Sequence, residues 1–226
     1  MTNTTLPRSP PRLCTTLQTP ATTRRLLFVV EGVNDVEFLR RMSRMLHRSD
    51  ASLPDLGLLE RQGQVVFLPF GGGNVATWAT RLEPLACCEL HLFDREAGAE
   101  TRYRIATAQR VNARPNCRAF VMSKRSLENY LHPEALKSAA GIDVRFDDQD
   151  SVADLVAKRR FTGEAPFVEW DTLSRRARKR FANQAKRWLN TYVVEAMTRE
   201  LLSERDPHGE VVTWMQTVAY MTRQLT

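Results

Sequence analysis

The sequence predicts an α/β fold: a parallel four-stranded sheet flanked by helices, with a mainly helical C-terminal extension. Three observations predict it. Four short apolar runs rich in Val, Leu and Phe lie at Leu26–Val30, Val65–Leu68, Glu89–Phe93 and Arg118–Met122, which suits strands covered on both faces. Helical patterns separate them, and alternation of this kind implies a parallel sheet with right-handed crossovers. Beyond Met122 the pattern turns mainly helical.

The elements follow in order. Residues 1–23 are rich in Thr, Pro and Arg, lack apolar periodicity, and are expected to form a disordered tail. After the first strand, Val36, Leu39, Met42 and Leu46 recur at spacings of three and four, which makes Val33–Arg48 a one-faced helix. Asn34 and Glu37 have capping-box spacing at its start. Residues 74–85 form a shorter helical segment after the second strand. Thr101–Asn112 is a third helix, with Tyr103, Ile105, Ala106 and Val111 as its inward positions, stopped by Arg114-Pro115. Leu127–Ala139 is helical, with Gly141 as its stop. Phe146–Asp150 is an acidic connector. Helices follow from Val152, broken near Thr162–Pro166 and Asp206–Gly209. The division expected is a tail (1–23), a sheet domain (24–135) and a basic helical extension (136–226).

Composition narrows the function classes. The 226 residues are 42% hydrophobic and 26% charged, as in globular domains. The net charge of +7 favours polyanionic partners, nucleic acid first. The four cysteines, Cys14, Cys87, Cys88 and Cys117, have no zinc-ligand spacing and fit a reducing cytoplasm. No apolar stretch is long enough to span a membrane, and the N-terminus lacks a signal-peptide core.

In open α/β sheets, function gathers at the carboxyl ends of the strands. Glu31-Gly32-Val33-Asn34-Asp35 follows the first strand, with Gly32 permitting a sharp turn. Both acids could overhang one crevice, although Asp35 near a helix N-terminus is also explained by the helix dipole. Gly71, Gly72 and Gly73 follow the second strand; they expose backbone N–H groups to phosphate or form a flexible turn. Asp94-Arg95-Glu96 follows the third strand, placing two carboxylates on one side of an extended chain. Lys124-Arg125-Ser126-Leu127-Glu128 follows the fourth, with Ser126 as a cap and Glu128 as a further acid. Carboxylates packed together repel. A divalent cation with a preference for hard oxygen ligands, Mg²⁺ or Mn²⁺, relieves that repulsion.

These motifs resemble the TOPRIM domain of topoisomerases, primases and OLD-family nucleases. FVVEGVNDVEFL resembles that family's first acidic motif and HLFDRE its second, over roughly residues 24–135. The OLD-type nuclease subgroup is nearer: Asp35, Gly71–Gly73, and Ser126 with Glu128 match its further motifs. SLENYLHPEAL resembles TOPRIM effectors of bacterial anti-phage systems. The resemblance implies a TOPRIM-like sheet binding one or two metals through Glu31, Asp35, Asp94, Glu96 and Glu128, with Lys186 as the late catalytic lysine and Lys179 as runner-up. The second motif departs from the family in reading Asp-Arg-Glu. There is no Walker A motif, so the ABC-type ATPase that the resemblance implies is expected on a separate chain or is absent.

The segment 158–187 is strongly basic. Arg175, Arg176, Arg178, Lys179, Arg180 and Arg187, with Lys124 and Arg125 beside the acids, are candidates for holding a phosphodiester backbone. The aromatics Trp170, Phe181 and Trp188 are read as core. The leading expectation is a metal-dependent endonuclease of DNA or RNA. The alternative is a catalytically silent TOPRIM subunit of an ATPase complex. Topoisomerase or primase activity ranks third, because no tyrosine has a strand-passage context. Sequence does not decide between a monomer and a homo-oligomer.

Overall fold

A computed structural model of the chain describes residues 25–71, 75–96 and 98–225. Strands β1 (Leu26–Val30), β2 (Val65–Pro69), β3 (Cys88–Phe93) and β4 (Cys117–Val121) form one sheet in the order β2-β1-β3-β4. All three pairings are parallel, with Leu26 opposite Val65 and Cys88, and Glu89 opposite Cys117. The chain leaves β1 for one edge and returns to pair β3 on the other side. The strand order therefore reverses between β1 and β3, and their carboxyl ends flank the crevice where such sheets bind ligands.

Side chains alternate across the strands. Leu26, Phe28, Val30, Leu90 and Leu92 enter the larger core, while Val29 and Phe93 enter the smaller one. On the larger side lies α1 (Val33–Ser49), whose Phe38, Leu39, Met42 and Leu46 form the expected apolar stripe. The same apolar cluster takes in the C-terminal helices: α5 (Pro133–Ala140), α6 (Val152–Glu164), α7 (Arg175–Thr191), α8 (Arg199–Arg205) and α9 (Glu210–Arg223). On the smaller side lie α3 (Val75–Leu82) and α4 (Ala99–Asn112). A short α2 (Leu56–Arg61), not anticipated from sequence, starts where Asp55 accepts the Leu58 N–H at 3.1 Å. Among the described residues, no helix is long and apolar enough to cross a membrane.

Several local expectations need correction. The α1 cap is not Asn34: Gly32 precedes the helix, and the Asp35 carboxylate accepts its N–H at 2.8 Å. Glu37 instead binds Arg40 and Arg41. Gly32 is extended (φ −150°), so left-handed freedom is not what glycine supplies there. In α4 the inward stripe is Arg104, Thr107, Ala108 and Val111, a spacing of three and four; Tyr103, Ile105 and Ala106 face outward. The segment 127–139 divides into a 3-10 turn, Leu127–Tyr130, and α5. Pro133 causes the break, since it favours the first turn of a helix and forces the preceding residue out of helical geometry. Gly141 ends α5 in the left-handed region (φ 64°), as expected. Trp170 and Phe181 pack with Phe161.

Candidate metal centre

The ends of β1, β3 and β4 deliver their acids to the same rim. Glu31 leaves β1, and its carbonyl accepts the Gly71 N–H at 2.9 Å. Gly71 takes a left-handed backbone (φ 79°), so it anchors the acidic turn. Gly72 and Gly73 lie outside the described residues. Asp94 and Glu96 follow β3, where Arg95 N donates to Arg125 O at 3.1 Å and ties the β3 and β4 loops together. Carboxylate oxygens of Glu31, Asp94 and Glu96 all lie within 4.8 Å of one another. Three hard oxygen donors at this spacing fit a divalent cation such as Mg²⁺ or Mn²⁺.

Asp35 and Glu128 form a second group beside the first. Both are buried, and the ammonium of Lys186 lies 3.5 Å from Asp35 Oδ1 and 3.7 Å from Glu128 Oε1. Asn190, one helical turn after Lys186, donates to Glu128 Oε1 at 2.6 Å. Asp94 couples the two groups. Burial pushes its carboxyl well above the usual carboxylate range, and the charges of Asp35, Glu128 and Glu96 push the same way against Lys186. Burial and Glu128 likewise raise Asp35, opposed by Lys186 and the Gly32 N–H. Burial alone would depress Lys186, but Glu128, Asp35 and Asp94 outweigh it and hold the ammonium above its ordinary value. The structure therefore separates the two candidate lysines. Lys186 reaches the acids, whereas Lys179 lines a groove along α7 with Arg176, Arg180, Asn183 and Arg187.

Two contributors were not found by sequence reasoning. Asn190 is fully buried; its only sequence signal is the i, i+4 spacing from Lys186. Arg104 reaches from α4 into the Glu31 group: it contacts Glu31, donates to Asp94 O at 3.2 Å, and lies 3.8 Å from Glu96. Burial lowers its pKa to about 10, so it stays cationic at neutral pH. Of the residues expected to touch nucleic acid, Lys124 is buried and paired with Asp148 at 2.6 Å. Arg125 donates to Gln149 O at 3.1 Å. Arg178 lies 3.8 Å from Asp171. Among the described residues, no carboxylate forms an ion pair with Arg175, Arg176, Lys179, Arg180 or Arg187.

No protein-family model matches the chain, and no curated protein does. Solved structures do. The C-terminal region of the OLD protein of Xanthomonas campestris pv. campestris, in the form phased with iodine, is 12% identical with a TM-score of 0.51, over 90% of this chain and 98% of that one. The form phased with platinum is 12% identical with a TM-score of 0.50, over 89% and 95%. At this identity the likeness is one of architecture, and it runs through the helical extension as well as the sheet. The chain has the fold of the C-terminal region of an OLD protein.

Proposed function

We propose that this chain is a divalent-metal-dependent endonuclease that hydrolyses phosphodiester bonds of DNA or RNA. The observation that carries the reading is the convergence of Glu31, Asp94 and Glu96 at the sheet's switch point, with Lys186 on the neighbouring pair Asp35 and Glu128. Glu31, Asp94 and Glu96 would hold one ion, and Asp35 and Glu128 would support that site or hold a second. A bound Mg²⁺ or Mn²⁺ supplies Lewis acidity toward phosphoryl oxygens and a lowered water pKa.

The chain's own residues do the rest. The Lys186 ammonium, held by Asp35 and Glu128, stabilises negative charge developing on the phosphate. Asn190 fixes Glu128 through its amide. The unpaired cations of α7 lead away from the site along one helix face and would hold the phosphodiester backbone. Their freedom from carboxylates supports this role, because Arg40, Arg41 and Arg44 on α1 are paired with Glu37, Glu60 and Glu195.

The test is cleavage of plasmid, single-stranded DNA and structured RNA with Mg²⁺ or Mn²⁺, using wild type, Glu31→Gln and Asp94→Ala. Cleavage by wild type alone is expected. Normal cleavage by both variants overturns the reading. Tight association with an ATPase chain, without hydrolysis under any metal, points instead to a silent interaction subunit.

A further inference from the structure

The Glu31 group already holds a cation of its own. Arg104 is 95% buried, and its guanidinium reaches Glu31, Glu96 and the Asp94 carbonyl. The fit is incomplete. Arg104 Nε is buried and has no hydrogen-bond partner of good geometry. A third carboxylate stands on the solvent side: Glu100, one turn earlier on α4, lies 3.5 Å from Arg104 Nε and is about half exposed. Arg104 thus bridges an inner acidic group and an outer one.

A guanidinium and a divalent ion drawing on the same carboxylates repel each other strongly at a few ångströms. They cannot both take full advantage of Glu31 and Glu96. Without metal, leaving the acids unneutralised is costly, because burial of unpaired charge is penalised. With metal, that neutralisation is supplied, and Arg104 becomes the surplus charge. The side chain has somewhere to go, since Glu100 is already within reach.

We propose that Arg104 is an exchangeable counter-ion: it neutralises Glu31 and Glu96 while no metal is bound, and withdraws to Glu100 when a divalent cation takes its place. The idea rests on the metal reading above. It makes Arg104 a positioning residue and makes metal affinity a difference between two cations' hold on one set of acids. Lys186 differs, because its two carboxylate partners are more deeply buried and Asn190 braces one of them.

The test is Mn²⁺ binding to the full chain, by calorimetry and by the resonance signal of free Mn²⁺, with no substrate present. Arg104→Met is expected to bind Mn²⁺ at least about ten-fold more tightly than wild type, because a nearby positive charge is gone. Arg104→Lys keeps the charge and is expected to stay near wild type. Glu100→Gln is expected to weaken binding about three-fold in the wild-type background and to do nothing in Arg104→Met, as coupled residues do. Equal or weaker binding by a folded Arg104→Met overturns the proposal; so does a Glu100→Gln effect of the same size in both backgrounds. If wild type and Arg104→Met both bind no Mn²⁺, the metal reading fails and takes this one with it. If wild type binds and Arg104→Met gains nothing, only the role of Arg104 fails. Should Arg104→Met not fold, the Mn²⁺-loaded wild-type crystal structure decides: a guanidinium on Glu100 supports the exchange, and one still on Glu31 overturns it.

Discussion

Five carboxylates gather at the rim of the sheet, and two cations divide them. Glu31 and Glu96 face Arg104, which also donates to the Asp94 carbonyl and comes from the helix covering the smaller core. Asp35 and Glu128 face Lys186, which comes from the C-terminal extension on the other side. The first group is partly open, since the Glu96 side chain is 40% exposed. The second is closed: its acids are only 4% and 3% exposed, and Asn190 adds a hydrogen bond. The difference teaches how a fold can hold so many like charges. On the proposal above, one group is built around a cation it can exchange and the other around a cation it keeps; the Asp94 carboxyl feels acids of both groups and the charge of Lys186.

Asp94 and Glu31 substitutions should have the largest effect. Asp94→Ala and Glu31→Gln are each expected to lower the cleavage rate by roughly 10³-fold or more, since both remove ligands that the proposed function assigns to the metal. Full loss from Glu31→Gln with near-normal rates from Glu128→Gln would show that the first group works without the second. Equal losses would show that they act as one unit.

Lys186→Met tests the second group through stability. It leaves Asp35 and Glu128 buried without their cation, which costs about 3 kcal/mol in urea unfolding with chelator present. Arg104→Met should cost less, because Glu96 and Glu100 are substantially exposed. Equal losses would erase the distinction between a kept and an exchangeable cation.

The pH dependence of stability sharpens the role of Asp94. Its native carboxyl holds a proton at higher pH than an unfolded aspartate does, so within that window the native state binds more protons. Metal-free stability from this group is therefore fully present below the ordinary Asp value and falls as pH rises through the elevated native one. Asp94→Asn has no such proton to lose. It should flatten this part of the profile and raise chelator-treated stability near neutral pH by about 1–2 kcal/mol. A parallel profile in wild type and Asp94→Asn would contradict the burial argument.

The smallest effects belong to α7. Arg176→Ala, Arg180→Ala and Arg187→Ala should each weaken nucleic-acid binding and reduce its logarithmic salt slope by about 1. Arg40→Ala, which removes a cation already paired on α1, should leave the slope unchanged.

Much of the scaffold was legible in the sequence. The four apolar runs mark the strands to within a residue at most ends, because parallel strands buried on both faces are nearly continuous in Val, Leu and Phe. The acids could be placed together because each follows a strand, and strand ends meet at one rim. The cations were harder to place. The inward face of α4 carries Arg104 and Thr107 while Tyr103 and Ile105 lie outside, so a reading that sorts residues by hydrophobicity turns Arg104 to solvent. Choosing Lys186 over Lys179 depends on how α7 packs on α1 and α6, which no local pattern encodes. Asn190 carries only its i, i+4 spacing from Lys186, and its role depends on Glu128, 62 positions away.

A crystal structure with Mn²⁺, read by its anomalous signal, tests the central claim most directly. The account predicts a peak about 2.1 Å from carboxylate oxygens of Glu31, Asp94 and Glu96, with Lys186 still on Asp35 and Glu128. A protein saturated with Mn²⁺ elsewhere, with those three carboxylates bare and Arg104 in place, would contradict it.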